Sequence, residues 1–167
     1  MSNPGVSSIT ACFPCYNDAK TIAMMVKDVR GALAPLVDEL EIVVVDDGSR
    51  DGSPDVLHAL QAEVPELVVV VHERNRGYGG ALISAFTTAT KDWIVYTDGD
   101  AQYDAKEAAT LVAAVTPSTD VVQGYKIGRG DPSLDPSSTT TISSSSTSGA
   151  SAALTSSTIM AMVLASL

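Results

Sequence analysis

Two carboxylates and an amide directly follow an apolar run in the middle of the chain. Asp98, Asp100 and Gln102 come just after Trp93-Ile94-Val95. A buried strand that ends abruptly in acids places them at the carboxyl edge of a sheet, where open α/β folds bind their ligands. Because their hard oxygen atoms suit Mg²⁺ or Mn²⁺ and such ions share their coordination with substrate phosphates, the pattern predicts a divalent cation beside a phosphate-bearing substrate.

Three further polar motifs follow other apolar runs in the same way. They are Pro14-Cys15-Tyr16-Asn17-Asp18, Val45-Asp46-Asp47-Gly48-Ser49-Arg50-Asp51-Gly52-Ser53 and Arg74-Asn75-Arg76-Gly77-Tyr78-Gly79-Gly80. In a parallel sheet all of these loops share one edge, so they can build one pocket together with the acid pair. Tyr16 can stack on a base, and Asp47 can accept hydrogen bonds from a base N–H or a ribose hydroxyl. The Gly-rich motif opens a helix, so Arg76 and backbone N–H groups can approach a diphosphate.

Strand patterns and helix patterns alternate between residues 8 and 131. The predicted strands are Ser8–Phe13, Glu41–Val45, Leu67–His72, Trp93–Tyr96 and Asp120–Gln123. The helix-like segments between them lie near Ala19–Leu36, Pro54–Glu63, Gly80–Thr88 and Ala105–Val115. This alternation predicts an α/β fold with a mainly parallel sheet that helices cover on both faces.

Composition narrows the classes of function. The chain has 167 residues, which favours one domain, and its 10 basic and 20 acidic residues give a net charge of −10. That charge argues against a nucleic-acid surface and against polybasic attachment to anionic lipid. The first residues do not resemble a secretory signal peptide and there are only two cysteines, so we expect a cytoplasmic, reducing environment.

The composition changes after Pro132. Residues 133–167 carry one charged side chain, Asp135, and Ser137–Ser148 is Ser and Thr throughout except for Ile142. We therefore expect a folded domain over residues 1–132 and a disordered, low-complexity tail over residues 133–167. The apolar end, Ala152–Leu167, is too short and too rich in Ser and Thr to be a membrane span. We therefore expect an amphipathic or loosely docked helix there, or disorder.

Several residues have a chemical and a purely structural interpretation. Cys12 and Cys15 match a redox C-x-x-C pattern, but the motif does not open a helix directly, so we expect Cys12 to fill the core. We expect His58 and His72 to be structural or solvated. We expect Trp93 and Phe86 to lie in the core rather than to act as platforms for a sugar.

Taken in order, the motifs resemble the inverting family 2 glycosyltransferases of GT-A fold. The resemblance lies in Pro-x-Tyr-Asn, Val-Asp-Asp-Gly-Ser-x-Asp-Gly-Ser, Asn-x-Gly-x-Gly and Asp-Gly-Asp-x-Gln, over about residues 8–131. It is strongest toward enzymes similar to dolichyl-phosphate mannose synthase and polyprenyl-phosphate glucose synthase. It implies a metal-dependent transfer of a hexose from a UDP- or GDP-sugar to a polyprenyl phosphate, at the cytoplasmic face of a membrane.

The resemblance also assigns the donor-binding residues. Pro14, Tyr16 and Asp18 would line the nucleoside site, and Asp47 would hold the base. The other residues implied in donor binding are their neighbours in the same loops: Asn17, Asp46, Gly48, Ser49, Arg76 and Gly77.

The metal site follows from the same resemblance. Asp98, Asp100 and Gln102 match the family's metal-binding triplet, which carries Mg²⁺ or Mn²⁺ against the donor diphosphate. The two acids are therefore the expected catalytic residues. Lys126 or Arg129 falls where the family places a cation near a donor or acceptor phosphate.

The sequence departs from the family pattern after Asp131-Pro132. Such enzymes continue with a basic, aromatic-containing segment that forms the acceptor side of the site, whereas here Ser/Thr low complexity follows. The alternative function is therefore a non-catalytic remnant or regulatory partner that binds a nucleotide sugar and lacks the acceptor half. The sequence leaves the base, the sugar and the oligomeric state open.

Overall fold

The computed structural model describes residues 6–97, 105–116, 119–124, 143–144 and 160–164. Strands and helices alternate as the sequence predicts. Their bounds are β1 Ser8–Cys15, α1 Ile22–Leu33, β2 Glu39–Asp46, α2 Ser53–Glu63, β3 Leu67–Val71, α3 Gly77–Thr88, β4 Trp93–Thr97, α4 Ala105–Ala113, β5 Val121–Gly124, β6 Ser143–Ser144 and β7 Met160–Leu164. Within this part of the chain, no helix is both long enough and apolar enough to cross a bilayer.

The strands form one sheet in the order β3-β2-β1-β4-β7-β5-β6. β1 lies parallel to both β2 and β4, and β2 lies parallel to β3. Parallel neighbours need crossover connections, which α1, α2 and α3 provide. The prediction of a mainly parallel sheet flanked by helices is confirmed.

Helices cover both faces of the sheet. The larger apolar cluster joins α1, α2 and α4 to one face and contains Phe13, Val44 and Leu111. The smaller cluster lies on the other face, where Ala81 and Ala85 of α3 pack on the strands. Because successive strand residues point to opposite faces, the unbroken apolar runs of β1 and β2 serve both clusters.

The aromatic ring of Phe86 corrects one expectation. It lies on α3 with 37% of its surface exposed rather than in the core. It packs edge-on against Tyr96, with 5.2 Å between the ring centroids. α3 packs on the sheet through the small side chains of Ala81 and Ala85. The larger side chain of Phe86 therefore lies at the edge of the contact between α3 and the sheet.

Strand β7 is an element that the sequence did not predict. It lies in the segment for which we expected a helix or disorder, yet Met160–Leu164 pairs antiparallel with both β4 and β5. A five-residue apolar run has no periodicity that separates strand from helix. The segment forms a strand because it lies between the edges of β4 and β5, where its backbone groups find hydrogen-bond partners on both sides. The boundary at residue 132 stays a prediction, since most of residues 133–167 lie outside the described part of the chain.

The register of the strands brings the predicted loops to one edge. Cys15 pairs with Asp46, and Asp46 pairs with Val71. The next residue of each strand therefore leaves the sheet at the same level. β4 runs in the same direction beside β1, with Tyr96 opposite Cys12, so it also ends at this edge.

Two strand valines that differ in burial should differ in their contribution to the free energy of unfolding. Val44 is fully buried in β2, whereas Val71 in β3 is 63% exposed. We expect Val44→Ala to lower the free energy of unfolding by about 2 kcal/mol, from lost burial and the cavity that remains. Val71→Ala should cost less than about 1 kcal/mol. Urea denaturation followed by circular dichroism measures both, and equal losses would contradict this placement of the core.

Candidate functional site

Three of the four predicted loops meet around one cleft at the carboxyl edge of the sheet. The cleft has a volume of about 300 Å³. Residues from the ends of β1, β2 and β3 and from the start of α3 line it: Pro14, Cys15, Tyr16, Asp18, Asp47, Asn75, Gly77, Tyr78 and Ala81. The structure thus brings together four residues that the sequence assigned to the nucleoside site, with the Tyr16 ring 46% exposed at the cleft.

The first and second loops hold each other through Asn17 and Ser49. Asn17 adopts a left-handed backbone with φ of +59°, a conformation that Asn tolerates better than most residues. Its N–H donates to Ser49 Oγ at 2.9 Å, and its Oδ1 accepts from Arg50 N at 2.8 Å. In the structure these two side chains therefore shape the loops, and their part in substrate binding stays a prediction.

Asp18 closes the first loop and starts α1. Its Oδ2 accepts from Tyr16 N at 3.1 Å, and its carbonyl oxygen accepts from the N–H groups of Thr21 and Ile22. Its own N–H donates to Ser53 Oγ at 2.9 Å, which ties the loop to the start of α2. Tyr16, which the first of these bonds holds in place, is thereby presented to the cleft on a fixed backbone.

Asp51 belongs to the second motif, but the sequence assigned it no role. Its Oδ1 accepts from Ser53 N and Ser53 Oγ at 2.9 and 2.5 Å, and its Oδ2 accepts from Ala19 N at 3.2 Å. The hydrogen bonds from Ser53 lower the pKa of this carboxyl from its ordinary value. An acid two residues before Ser53 at a helix start is the sequence signal that could have revealed it.

The second loop turns sharply after β2. Buried Asp46 accepts from Ser49 N at its Oδ1, at 2.9 Å, which fixes the turn. Gly48 has a φ of +75°. A Cβ at this position would lie 2.8 Å from the backbone of Arg74 and Asn75, so glycine is what allows the second and third loops to pass in contact.

Asp47 is the best-connected polar group of the cleft. Its side chain is only 5% exposed, and its Oδ1 lies 2.6 Å from His72 Nδ1 and 2.8 Å from Arg76 N. Burial alone would raise the pKa of this carboxyl, but the hydrogen bonds from His72 Nδ1 and Arg76 N outweigh it and lower the pKa. Asp47 is therefore an ionised acceptor that faces the cleft.

His72 is the residue of the site that the sequence did not assign. It is buried, and its Nε2 lies 2.8 Å from Ser84 Oγ of α3. The solvated alternative for this side chain is therefore wrong. The signal that could have found it is its position: His72 directly follows β3, just as Asp47 directly follows β2 in the neighbouring strand.

The third loop opens α3 at the cleft, as predicted. Asn75 Oδ1 accepts from Gly77 N at 2.8 Å, and Gly77, with a φ of +78°, is the first residue of the helix. The Arg76 side chain is exposed beside it. The N-terminus of α3 at the cleft makes an environment that favours a phosphate.

The cysteine pair does not fit redox chemistry. Both thiols are free and buried, and they belong to the apolar clusters on opposite faces of the sheet. Burial raises the pKa of Cys12 to about 12 and that of Cys15 to about 11. Thiols held in the protonated form are poor nucleophiles, so the core role expected for Cys12 is the one that the structure supports.

The predicted metal ligands and phosphate-binding cations lie outside the described residues. These are Asp98, Asp100, Gln102, Lys126 and Arg129. β4 ends at Thr97 beside β1, so its end is at the same edge as the cleft. In the described segments, no group of three or more His, Cys, Asp or Glu side chains could hold a metal ion. The oxygen donors of Asp98, Asp100 and Gln102 suit Mg²⁺ or Mn²⁺ by their chemistry.

The sequence model of glycosyl transferase family 2 matches residues 10–157. The chain belongs to this family. It is 31% identical over 132 residues to an undecaprenyl-phosphate 4-deoxy-4-formamido-L-arabinose transferase of Aeromonas hydrophila and 32% identical to the protein of the same name from Klebsiella pneumoniae. Each match covers 78% of this chain but only 40% of the relative. The resemblance to polyprenyl-phosphate glycosyltransferases is thus confirmed.

Solved structures of glycosyltransferases share the fold. A mannosyltransferase from Pyrobaculum calidifontis, solved with GDP-Man and Mn²⁺, superposes with a TM-score of 0.55 at 26% identity, over 72% of this chain and 35% of that one. Mannosyl-3-phosphoglycerate synthase from Rubrobacter xylanophilus gives a TM-score of 0.55 at 22% identity, over 70% of this chain and 39% of that one. The GT-A fold predicted from the sequence is confirmed.

Gly48 gives a direct test of how the loops are held together. We expect Gly48→Ala to lower the free energy of unfolding by roughly 1–3 kcal/mol, because alanine is strained at a positive φ and its Cβ would meet backbone. Gly79→Ala is the matched control, since Gly79 lies in α3 and nothing comes within 4 Å of an added Cβ. It should leave stability unchanged or raise it by up to about 1 kcal/mol. Urea denaturation of the two variants measures the difference, and a Gly48→Ala variant as stable as the parent chain would refute the loop contact.

Proposed function

We propose that this chain is the donor-binding part of a metal-dependent glycosyltransferase that takes a hexose from a UDP- or GDP-sugar and delivers it to a polyprenyl phosphate. The observation that carries the proposal is the cleft itself. It combines an exposed ring, a buried ionised carboxylate and the N-terminus of α3 at the edge where parallel strands end. Family membership supports the same chemistry.

The nucleoside would occupy the cleft between the first and third loops. The backbone of Tyr16 is held by Asp18, and its exposed ring offers a stacking surface. Asp47 is ionised and accepts hydrogen bonds, which suits the N–H groups of uracil or guanine. The diphosphate would then lie toward Arg76 and the first turn of α3.

The metal would be held by Asp98, Asp100 and Gln102. The mannosyltransferase from Pyrobaculum calidifontis was solved with GDP-Man and Mn²⁺, which supports a role for a divalent cation in this chain as well. When bound, the cation supplies positive charge that stabilises the leaving diphosphate as the bond between sugar and oxygen breaks.

The proposed acceptor follows from the names of the two sequence relatives, which are undecaprenyl-phosphate transferases. A phosphate acceptor is already anionic, so the transfer does not require a strong general base, and we assign no side chain to that role. Lys126 or Arg129 would hold an acceptor or donor phosphate. A lipid-linked acceptor would bring the protein to a membrane surface.

Removal of one proposed metal ligand tests the donor site. We expect Asp100→Ala to abolish metal-dependent binding of UDP or GDP, because a single remaining carboxylate holds the cation poorly. Asp28→Ala, which removes an exposed acid from α1, should bind like the parent chain. Isothermal titration calorimetry with and without Mn²⁺ measures both, and unchanged affinity in Asp100→Ala would disprove the metal assignment.

An assay of sugar transfer to a polyprenyl phosphate distinguishes an active glycosyltransferase from a non-catalytic protein that only binds the nucleotide sugar. The parent chain, incubated with a UDP- or GDP-hexose, Mn²⁺ and a polyprenyl phosphate, should form the lipid-linked sugar if it carries the whole site. Nucleotide binding without any lipid-linked product would favour the non-catalytic alternative.

A further inference from the structure

Helix α3 packs on the sheet through few and small side chains. Its buried residues are Ala81 and Ala85, whereas α1 buries five larger side chains against the other face. Apolar stabilisation grows with the area removed from water, so two alanines hold a helix less firmly than five larger residues do. The position of α3 on the sheet therefore depends more on its polar contacts.

Two of these polar contacts lead to the same carboxylate. Arg76, the N-cap residue of α3, donates its backbone N–H to Asp47 Oδ1 at 2.8 Å. Farther along the helix, Ser84 Oγ lies 2.8 Å from His72 Nε2, and His72 Nδ1 lies 2.6 Å from Asp47 Oδ1. Asp47 thus holds α3 directly at its start and, through His72, at a second point about 12 Å along the helix axis.

The direction of each hydrogen bond follows from the charge of Asp47. An ionised carboxylate can only accept, so the hydrogen between the two groups is on His72 Nδ1. In a neutral ring Nε2 is then an acceptor and Ser84 Oγ donates to it, whereas in a charged ring Nε2 donates to Ser84 Oγ. Asp47, His72 and Ser84 therefore form a hydrogen-bonded link that is kept in both charge states.

Burial makes this link costly to break. His72 is only 4% exposed, so water does not readily replace a lost partner of its ring. A shift of α3 away from the sheet would separate Ser84 Oγ from Nε2 and leave a buried polar atom unpaired, which costs more than the loss of an exposed hydrogen bond. The link therefore resists movement of α3 relative to Asp47.

We propose that the link of Asp47, His72 and Ser84 fixes α3 in place, and that His72 and Ser84 are positioning residues for the phosphate groups of a bound nucleotide. This inference rests on the proposed function, in which Asp47 holds the base and the first turn of α3 receives the diphosphate. It adds to that proposal the residues that set the distance between the two subsites.

Two substitutions break the link at the same bond. Ser84→Ala removes the hydroxyl and leaves both donors of Asp47 in place. In His72→Asn the side-chain N–H can replace Nδ1–H at Asp47, but the shorter side chain does not reach Ser84. We expect each variant to bind UDP or GDP about fivefold or more weakly and to change the affinity for the nucleoside alone by less than about twofold. The double variant should lose no more than either single variant, because only one bond is lost in all three.

Two further variants separate positioning from packing. Ser84→Thr keeps the hydroxyl, so it should bind UDP or GDP within about threefold of the parent chain. Thr87→Ala is the matched control on the same helix, because the hydroxyl that it removes donates within α3, to the carbonyl oxygen of Ile83 at 2.7 Å. It should bind as the parent chain does. Thermal unfolding confirms that each variant is folded.

Calorimetry with uridine, UDP, guanosine and GDP in one Mn²⁺ buffer measures these affinities. A loss confined to the diphosphates, equal in Ser84→Ala and His72→Asn and no larger in the double variant, would support the proposal. Equal losses for nucleoside and diphosphate, additive losses in the double variant, or no loss in Ser84→Ala would overturn it.

Hydrogen exchange of the backbone amides of α3 tests the link without any nucleotide. Ser84→Ala should speed exchange over residues 81–88 by about fivefold or more relative to α1, whereas Thr87→Ala should not. Alanine is a better helix former than serine, so faster exchange would not come from helix propensity. Unchanged exchange in Ser84→Ala would overturn the proposal. Faster exchange in a chain whose parent binds neither UDP nor GDP would uphold the link and identify the proposed function as the faulty step.

Discussion

The buried carboxylate of Asp47 joins the parts of the cleft that have to stay together. It follows β2, yet the groups that donate hydrogen bonds to it come from beyond β3: His72 Nδ1 and the N–H group of Arg76. Taking an ion out of water costs several kcal/mol, and hydrogen bonds to charged groups return about 1.5–3 kcal/mol each. Both donors belong to the chain that follows β3, so the second and third loops must keep their places for Asp47 to stay ionised.

The parallel sheet makes this arrangement possible. Cys15, Asp46 and Val71 are in register across β1, β2 and β3, so that Tyr16, Asp47 and His72 leave the sheet at one level. The loops then need only short contacts to form the cleft. Gly48 lets the second loop touch the third, and the bond between Asn17 and Ser49 joins the first loop to the second.

The side chains that line the cleft differ in exposure. Asp47 is buried and hydrogen-bonded to the equally buried His72. The side chains at the mouth, Tyr16 and Tyr78, are nearly half exposed. Such a division suits a site that must recognise a base with fixed groups and accept the rest of a charged donor from solvent.

The sequence by itself determined the order of elements and the identity of most cleft residues. Alternating strand and helix patterns were enough to predict a mainly parallel sheet, because these signals are local in the chain. The resemblance of the polar motifs to a known family then implied the GT-A fold and the site residues Pro14, Tyr16, Asp18 and Asp47. The family was likewise predictable, since its motifs recur in a fixed order.

The tertiary structure decided what depends on distant neighbours. Met160–Leu164 became a strand because β4 and β5 leave a slot between them, which no five-residue pattern reveals. Phe86 stays at the surface because the alanines of α3 make its contact with the sheet. His72 became part of the site because the register sets it beside Asp47, from which 25 residues of sequence separate it. Periodicity tells which face of an element is buried, but only the packed sheet tells which groups share hydrogen bonds.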